Sequence, residues 1–540
     1  MIDVLIAGAG PNGLMVACEL GLAGVRPVVL DSLPGPNPEP RANGVVGQGV
    51  RILDHRGLYE PLAGPGEHSE PAAGHMFAAF PLDLHAVPDS QLYRLMVPQK
   101  KIVQVLAERA VAYDADIRWG HSLTGFEQHA DGVTIQVAGP DGPYQLKAAY
   151  LVGADGGRSA TRKLAGIDFP GTSSSDVIAR IAVGAMPPRG WVDPVSNALD
   201  IPGFGHVTPL QFVRTERGVF IWASFHGRPG VGSFELEGAA RDDRGYEDRV
   251  DGVPMTLAEL QASVERVLGA ELPLQHEAAD SPVTLRRFAG VNSRIAAQYK
   301  DGRVILVGDA AHVHSPLGGP GLNVGLQDAV NLGWKLAAVV GGRVDPALLD
   351  TYPAERRPAG ERLIMHSRAQ LALIRPGKEV TALRELFGEL LSDPANVRRL
   401  GDLLSGADIR LPTESDAHPL VGYWVPDITI ETPTGASRVA ELARDGRPLL
   451  IDLTDAGKLA VTTSNDGRVT VAAGSPVENV PATALLVRPD GYVAWASSSQ
   501  TPDVHALDRV LRYWFGIASL GQRGAVRGLG VDPPVGPRSR

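Results

Sequence analysis

The sequence has a single cysteine, Cys18, among its 540 residues, which excludes an intrachain disulfide and any Cys-x-x-Cys redox or zinc site. It has no uninterrupted apolar run near the ~20 residues of a membrane span, and an acid, Asp3, stands where a signal peptide would carry a base. Acidic residues outnumber basic ones, 61 to 51, so the net charge of −10 would repel a phosphate backbone. We therefore expect a cytoplasmic protein with neither a membrane nor a nucleic acid as partner.

The chain does have enough apolar sequence, 44% of its residues, for a large core and two or three domains. Residues 2–31 follow the order strand, glycine turn, helix, strand, and a similar signature resumes at 303–340 after a β-rich block. Residues 133–152 alternate around a Pro-Asp-Gly turn and predict a β-hairpin. The whole pattern predicts an α/β fold with a discontinuous Rossmann-like domain, an inserted β-sheet domain and a C-terminal thioredoxin-like domain without cysteines. The boundaries that we predict are 1–170 and 286–405 for the two parts of the Rossmann-like domain, 171–285 for the insert and 406–535 for the C-terminal domain.

The first motif that carries chemistry is the glycine turn between the first strand and the first helix. Gly8 allows a tight turn, Gly10 lets the backbone approach a pyrophosphate, and Gly13 lets helix and strand pack closely. The helix N-terminus offers unpaired N–H groups to phosphates, and Asp31, at the end of the next strand, can accept hydrogen bonds from a ribose diol. In this strand-turn-helix setting the motif predicts dinucleotide binding.

Two further segments stand at the ends of predicted strands. The run from Gly153 to Ser159 contains Asp-Gly-Gly, which taken alone is typical of a turn. The run from Gly308 to Asn323 begins with a Gly-Asp turn, in which Asp309 could bind sugar hydroxyls, and ends at a helix start that could present N–H groups to an anion.

Together these three segments resemble the group A flavoprotein monooxygenases, the para-hydroxybenzoate hydroxylase-like family, over roughly residues 1–400. The resemblance implies non-covalently bound FAD. The residues that it places on FAD, some of them also on NAD(P)H, are Gly8, Gly10, Gly13, Asp31, Arg41, Gln99, Asp155, Gly156, Arg158, Asp309, Pro316, Gly321, Leu322 and Asn323.

The resemblance also implies a reaction. FAD reduced by NADPH or NADH would react with O2 at flavin C4a, and the cofactor itself carries the difficult step. A protonated adduct would hydroxylate a phenolic ring, whereas an anionic one would give Baeyer–Villiger insertion into a ketone. The subgroup resembled acts on bulky polycyclic aromatics of the polyketide type, and we expect a monomer or homodimer that hydroxylates such a molecule. The alternatives are Baeyer–Villiger oxygenation, inactivation of an aromatic antibiotic, and a flavin-binding scaffold without turnover.

The sequence departs from the family near the predicted flavin. Arg51 stands where related hydroxylases usually carry an acid, and a cation there would favour an anionic adduct or bind an anionic substrate; the other interpretation is a surface arginine with a packed stem. Pro320 stands where glutamine is typical, which removes an amide and stiffens the loop. The catalytic candidates are Arg51, Pro316 and Leu322.

Aromatic residues on the strands of the insert could line a substrate pocket, because one face of that sheet should cover the flavin. The candidates are Phe220, Trp222 and Phe225, although a core position is equally compatible with each. His312 and His314 supply two ligands without a carboxylate pattern, so we expect no metal and predict a packing role for His312.

Overall fold

A computed structural model of the chain describes residues 1–37, 42–87, 89–225, 228–236, 254–277, 283–315, 319–432, 435–455, 457, 459, 467–477 and 479–517, with side chains for all of these except 174–176, 224–225 and 289. The helix Pro320–Val340 is buried along nearly its whole length, and the three largest sheets of the described residues have four or more strands each. Within the described ranges, no helix combines the length and apolarity needed to cross a bilayer.

The first sheet is built around the strand Ile2–Ala7, whose apolar residues are buried because neighbouring strands lie on both sides of it. Leu5 is in register with Val28 on one side and with Leu151 on the other, and both pairings are parallel. The predicted hairpin is confirmed, as antiparallel strands Val133–Gly139 and Gly142–Gly153. The order across the main part of this sheet is Asp116–Trp119, Val28–Asp31, Ile2–Ala7, Gly142–Gly153, Val304–Leu306 and Lys300–Asp301, and Ser122–Gln128 extends it beyond the hairpin.

Two helices pack closely against each other beside this sheet. Gly333 in the helix Pro320–Val340 lies against Glu19 of the helix Pro11–Leu22, and a Cβ at position 333 would be 2.4 Å from the Glu19 Cβ. Glu19 is itself buried, and its carboxylate accepts hydrogen bonds from Arg56 at 2.6 and 2.9 Å. The small residue therefore allows a close helix contact, and the arginine neutralises the charge enclosed by it.

The insert forms a second, antiparallel sheet, and the side chains along its strands alternate between two faces that are both buried. On one face the side chains pack against the helix Leu257–Leu268. On the opposite face, Val219 and Phe234 pack with the strands Gly74–Phe77 and Phe80–Asp83. The strand order is Phe212–Arg214, Gly218–Phe225, Arg228–Leu236, Gly171–Val183, Thr284–Ile295 and His312–Val313.

The C-terminal domain contains a four-stranded sheet covered by the helix Val504–Phe515, and its thioredoxin-like fold agrees with the prediction. The strand order is Thr470–Ala473, Leu449–Asp452, Ala484–Val487 and Val493–Ser497, with the first pair parallel and the others antiparallel. The remaining α-helices are Gln48–His55, Tyr59–Ala63, Gln99–Ala112, Ala160–Leu164, Thr351–Ile374, Lys378–Leu390, Pro394–Ser405 and Val439–Leu442, and the short remaining strands are Val45–Val46, Gly74–Phe77, Phe80–Asp83, Arg94–Leu95, Ala185–Met186, Leu199–Ile201, Gly205–Val207, Gln275–His276, Thr429–Thr432, Gly435–Arg438 and Ser475–Pro476.

A buried network of charges joins the C-terminal domain to the long helix. Arg488 donates to both carboxylate oxygens of Glu355, at 2.8 and 2.7 Å, and to Asp490 at 2.5 Å. Lys335 donates to the same Glu355 at 2.7 Å, and burial lowers the pKa of Lys335 to about 8 although Glu355 opposes this shift. Two cations and two anions thus balance inside the protein, where an unpaired charge would be costly.

We predict that Arg488→Met destabilises the protein by about 3–5 kcal/mol, because methionine retains an apolar stem but leaves Glu355 and Asp490 with one buried cation between them. Chemical denaturation measures this change. The control is Arg26→Met, which removes one partner of an ion pair that is 77% and 66% exposed and should cost less than about 1 kcal/mol. Equal effects of the two substitutions would contradict the role assigned to the network.

Candidate functional site

One continuous cavity of about 960 Å³ lies between the first sheet and the inner face of the insert. This volume is at the upper end of the ~300–1,000 Å³ typical of small-molecule sites. Of the predicted cofactor residues, the cavity is lined by Gly8, Gly10, Asp31, Gln99, Asp155, Gly156, Arg158, Asp309, Gly321 and Leu322. The structure therefore brings the three sequence-distant motifs to one place.

The three glycines of the first motif have different physical roles. Gly8 has φ +107°, and a Cβ on it would be 2.4 Å from the Ala154 carbonyl oxygen. A Cβ on Gly13 would be 2.0 Å from the Gly8 carbonyl oxygen, so this glycine is required for packing rather than for ligand contact. A Cβ on Gly10 would meet no protein atom within 4 Å, and Gly10 lines the cavity. Gly10 is thus the position where the backbone is open to a ligand.

Asp31 is held at the same end of the cavity by backbone donors. Its two carboxylate oxygens accept from Ala9 N at 2.8 Å and from Leu33 N at 2.9 Å. Each oxygen retains a further lone pair, so the oriented carboxylate can accept hydrogen bonds from a ribose diol. Gln99, which begins the helix Gln99–Ala112, accepts from Ala42 N at 3.2 Å at the cavity edge. Its predicted neighbour Arg41 lies outside the described residues.

The second motif forms a turn that is fixed by its own acid. The Asp155 carboxylate accepts from Ser159 Oγ at 2.5 Å and from the Thr161 amide and hydroxyl at 2.9 and 3.0 Å. Gly156, with φ +79°, adopts the conformation that favours glycine, and exposed Arg158 follows it at the cavity. The Asp155 side chain therefore shapes the turn, and Gly156 and Arg158 line the cavity beside it.

The third motif presents an acid and a helix N-terminus to the cavity. Asp309 is exposed in the 3₁₀ turn Gly308–Ala310, and Gly321 and Leu322 lie in the first turn of the helix Pro320–Val340. A Cβ on Gly321 would be 2.5 Å from His314 Nε2, so only glycine allows the ring and the helix start to approach this closely. Burial lowers the pKa of His314 to about 4 although Asp309 raises it, so the imidazole is neutral at physiological pH.

Asn323 is not among the residues that line this cavity, and its contact with the flavin stays a prediction. Its side-chain oxygen accepts from Gly49 N at 2.5 Å, and its amide donates to Ser405 O at 3.4 Å. The side chain therefore ties the helix start to two neighbouring segments. Pro320 occupies the first helical position, where a missing N–H costs nothing. Pro316 lies outside the described residues.

Arg51 is not on the surface, so that interpretation is wrong, and it is not among the residues that line the cavity. It is 2% exposed, and its guanidinium donates to Gln91 Oε1 at 3.1 Å and to Val425 O at 2.8 Å. The ring centres of Tyr93 and Trp424 each lie 5.6 Å from the guanidinium carbon. Arg51 therefore joins the helix Gln48–His55 to the C-terminal part of the chain, and burial lowers its pKa.

The aromatic pair predicted for the substrate faces the wrong way. Phe220 and Trp222 are buried in the core beneath the helix Leu257–Leu268, and Trp222 Nε1 donates to Asn197 O at 2.7 Å. Because side chains alternate along a strand, Ile221 between them points to the opposite face and lines the cavity. The side chain of the third candidate, Phe225, lies outside the described residues.

Sequence reasoning missed the far wall of the cavity. This wall is lined by Val46, His75, Met76, Arg94, Met96, Leu210, Phe212 and Ile221. Strand alternation could have identified Ile221 once its neighbours were assigned to the core. The others come from short strands and turns that carry no motif, so the sequence offered no signal for them.

His312, unlike His314, is not at the cavity. It is fully buried and its Nε2 lies 2.7 Å from Asp328 Oδ2, which agrees with a packing role. No group of three or more His, Cys, Asp or Glu side chains within the described ranges could hold a metal ion.

Comparison with known proteins identifies two families along the chain. The family described as FAD binding domain matches residues 1–367, and the family described as aromatic-ring hydroxylase, C-terminal, matches residues 418–518. A 12-dehydrotetracycline 5-monooxygenase/anhydrotetracycline 6-monooxygenase from Streptomyces rimosus subsp. rimosus is 41% identical over 95% of this chain and 99% of its own length. A rifampicin monooxygenase from Streptomyces venezuelae is 36% identical over 96% and 100% of the two chains. Among solved structures, an anhydrotetracycline hydroxylase from Streptomyces rimosus is similar with a TM-score of 0.80 at 37% identity, over 96% of this chain and 99% of that one.

The glycine geometry predicts how two neighbouring substitutions will differ. Gly10→Ala should change the free energy of unfolding of the ligand-free protein by less than about 0.5 kcal/mol, because the backbone at Gly10 is extended and its Cβ would meet no protein atom. It should weaken FAD binding at least about tenfold, because the methyl group would project into the cavity. Gly13→Ala is the matched variant and should destabilise the ligand-free protein. Fluorescence titration with FAD and thermal unfolding measure both effects; normal FAD affinity in Gly10→Ala would refute the assignment.

Proposed function

The chain belongs to the group A FAD-dependent monooxygenases, and from this premise we propose that it uses NAD(P)H and O2 to hydroxylate a polycyclic aromatic molecule of the polyketide type. The observation that carries the proposal is a continuous cavity that joins the dinucleotide motifs to an apolar sheet face. A flavin and a bulky ring system need such adjoining spaces. The relatives named for anhydrotetracycline support the substrate class.

The residues present fit FAD. The open backbone at Gly10 and the N-terminus of the helix Pro11–Leu22 would hold the pyrophosphate, and the oriented carboxylate of Asp31 would hold the ribose. Asp309 would accept hydrogen bonds from the ribityl chain. The helix start at Gly321 and Leu322 would place its partial positive charge beside the ring, where it stabilises a reduced, anionic flavin.

When bound and reduced, FAD supplies the activation of O2, and the remaining work of the chain is to seat the substrate and exclude water. The apolar side chains of Leu210, Phe212 and Ile221 offer a wall against which a planar ring system can lie. The hydride donor, NADPH or NADH, would reach the same cavity, in which Arg158 and Lys100 provide cations for its phosphates.

Hydroxylation is favoured over Baeyer–Villiger insertion. The sequence feature that supported insertion was Arg51, and its buried position away from the cavity removes that support. A silent flavin-binding scaffold disagrees with the names of both relatives above, which are monooxygenases. Oxidation of an antibiotic is a second candidate, because the rifampicin monooxygenase is similar over nearly the whole chain.

The test is to incubate the FAD-loaded protein with NADPH or NADH and either anhydrotetracycline or rifampicin. We expect anhydrotetracycline to stimulate NAD(P)H oxidation and to gain one oxygen atom. A new hydroxyl group in the NMR spectrum indicates hydroxylation, whereas a lactone or an opened ring would refute it in favour of insertion. Oxidation of rifampicin alone would favour the second candidate, and no stimulated oxidation with either compound would contradict the proposal.

Neighbouring residues on one strand provide a second prediction. Ile221→Ala should raise the KM for the ring substrate roughly tenfold, because it removes apolar contact area from the cavity wall worth about 1.4 kcal/mol. Phe220→Ala should instead cost about 3–5 kcal/mol of stability, because that side chain is fully buried on the other face. Steady-state kinetics and chemical denaturation separate the two effects. The assignment of faces is wrong if the effects are exchanged.

A further inference from the structure

The far wall of the cavity is apolar except at one edge, where Arg94 and His75 lie. Arg94 is exposed to the cavity, and its guanidinium donates a long hydrogen bond of 3.4 Å to Gly74 O. Among the described residues no Asp or Glu forms an ion pair with it. A cation without a protein counter-ion in a ligand cavity is a ready partner for an anionic group.

His75 adds a second polar group at this edge. It lines the same cavity, and its Nε2 is buried with no hydrogen-bond partner among the described residues. Burial, followed by the nearby charge of Arg94, lowers the pKa of His75 to about 4, so the ring is neutral at physiological pH. A buried nitrogen without a partner is costly, and a ligand oxygen would satisfy it.

The fold ties this pair to the hairpin that packs against the insert. Arg94 pairs through its strand with Val46 and contacts the hairpin that begins at Gly74. The strands of this hairpin, Gly74–Phe77 and Phe80–Asp83, pack in one core cluster with Val219 and Phe212 of the insert. Of the other lysines and arginines that line the cavity, Lys100 follows Gln99 and Arg158 lies in the second motif.

We propose that Arg94 and His75 bind an ionised oxygen, a phenolate or enolate, on the edge of a planar polycyclic substrate. This inference rests on the proposed function and specifies its substrate: a ring system with an acidic hydroxyl, fixed at one edge so that a defined carbon lies toward the flavin. The apolar wall accepts the rings in any in-plane orientation, and the charged edge selects one. Arg94 and His75 are therefore specificity-determining residues: they orient the substrate and take no part in transferring the oxygen atom from O2.

The experiment measures equilibrium binding of two planar dyes to the FAD-loaded protein by flavin absorbance. Alizarin carries an acidic hydroxyl that is ionised in mildly alkaline buffer, and anthraquinone has the same three rings without it. We expect the wild type to prefer alizarin. Arg94→Met should weaken alizarin binding at least about tenfold while changing anthraquinone binding less than about twofold. Arg94→Lys should restore part of the loss, and His75→Phe should weaken alizarin binding about threefold.

The control is Arg26→Met, which removes a cation from an exposed ion pair outside the cavity lining and should change neither affinity. The proposal is overturned if the wild type shows no preference for alizarin, or if Arg94→Met leaves alizarin binding unchanged or weakens both dyes equally. It is also overturned if Arg94→Met raises the KM for NADPH and leaves alizarin binding intact, since Arg94 would then serve a nucleotide phosphate. Because dye binding requires no turnover, the dye-binding outcomes are independent of whether the enzyme hydroxylates anhydrotetracycline.

Discussion

Asp328 connects two segments that line the cavity, the turn at Asp309 and the start of the helix that contains Gly321 and Leu322. It is fully buried in the helix Pro320–Val340, and one carboxylate oxygen accepts from Arg356 Nε at 2.8 Å. The other accepts from His312 Nε2 at 2.7 Å and from Gly308 N at 3.3 Å. Burial alone would raise the pKa of Asp328, but Arg356 and His312 lower it by more than burial raises it. The pKa is therefore below its ordinary value, and the carboxylate stays ionised. One buried charge therefore fixes the turn that carries Asp309 against the helix whose first residues line the same cavity.

The parts of the site that the sequence predicted are those in which a local pattern has a single structural solution. A glycine turn between an apolar strand and an amphipathic helix has few geometries, and steric contact decides among them: Gly8 and Gly13 have no room for a Cβ. The hairpin 133–152 and the acid Asp31 were recognisable for the same reason.

The parts that the sequence could not predict depend on which neighbour a residue meets in three dimensions. From the sequence, Phe220 and Trp222 could lie on either face of the sheet. They lie on the face that packs against the helix Leu257–Leu268, which comes about 35 residues later in the chain. The residues near Arg51 in the sequence gave no sign of its hydrogen-bond partner. Its guanidinium donates to the carbonyl oxygen of Val425, which is 374 residues away in the chain. His75 and Arg94 belong to short strands whose positions depend on the insert that packs over them.

The two ends of the cavity also differ in how freely they can change. At the dinucleotide end the walls are backbone, and a methyl group on Gly8 or Gly13 would lie 2.4 or 2.0 Å from a carbonyl oxygen, so substitution there would require the main chain to move. At the far end the wall consists of side chains such as Met76, Phe212 and Ile221, whose replacement alters contact area without disturbing a hydrogen-bonded turn. A fold built in this way can keep its cofactor geometry while its substrate wall is varied. This explains in physical terms how relatives named for anhydrotetracycline and for rifampicin can both be similar to this chain over nearly its whole length.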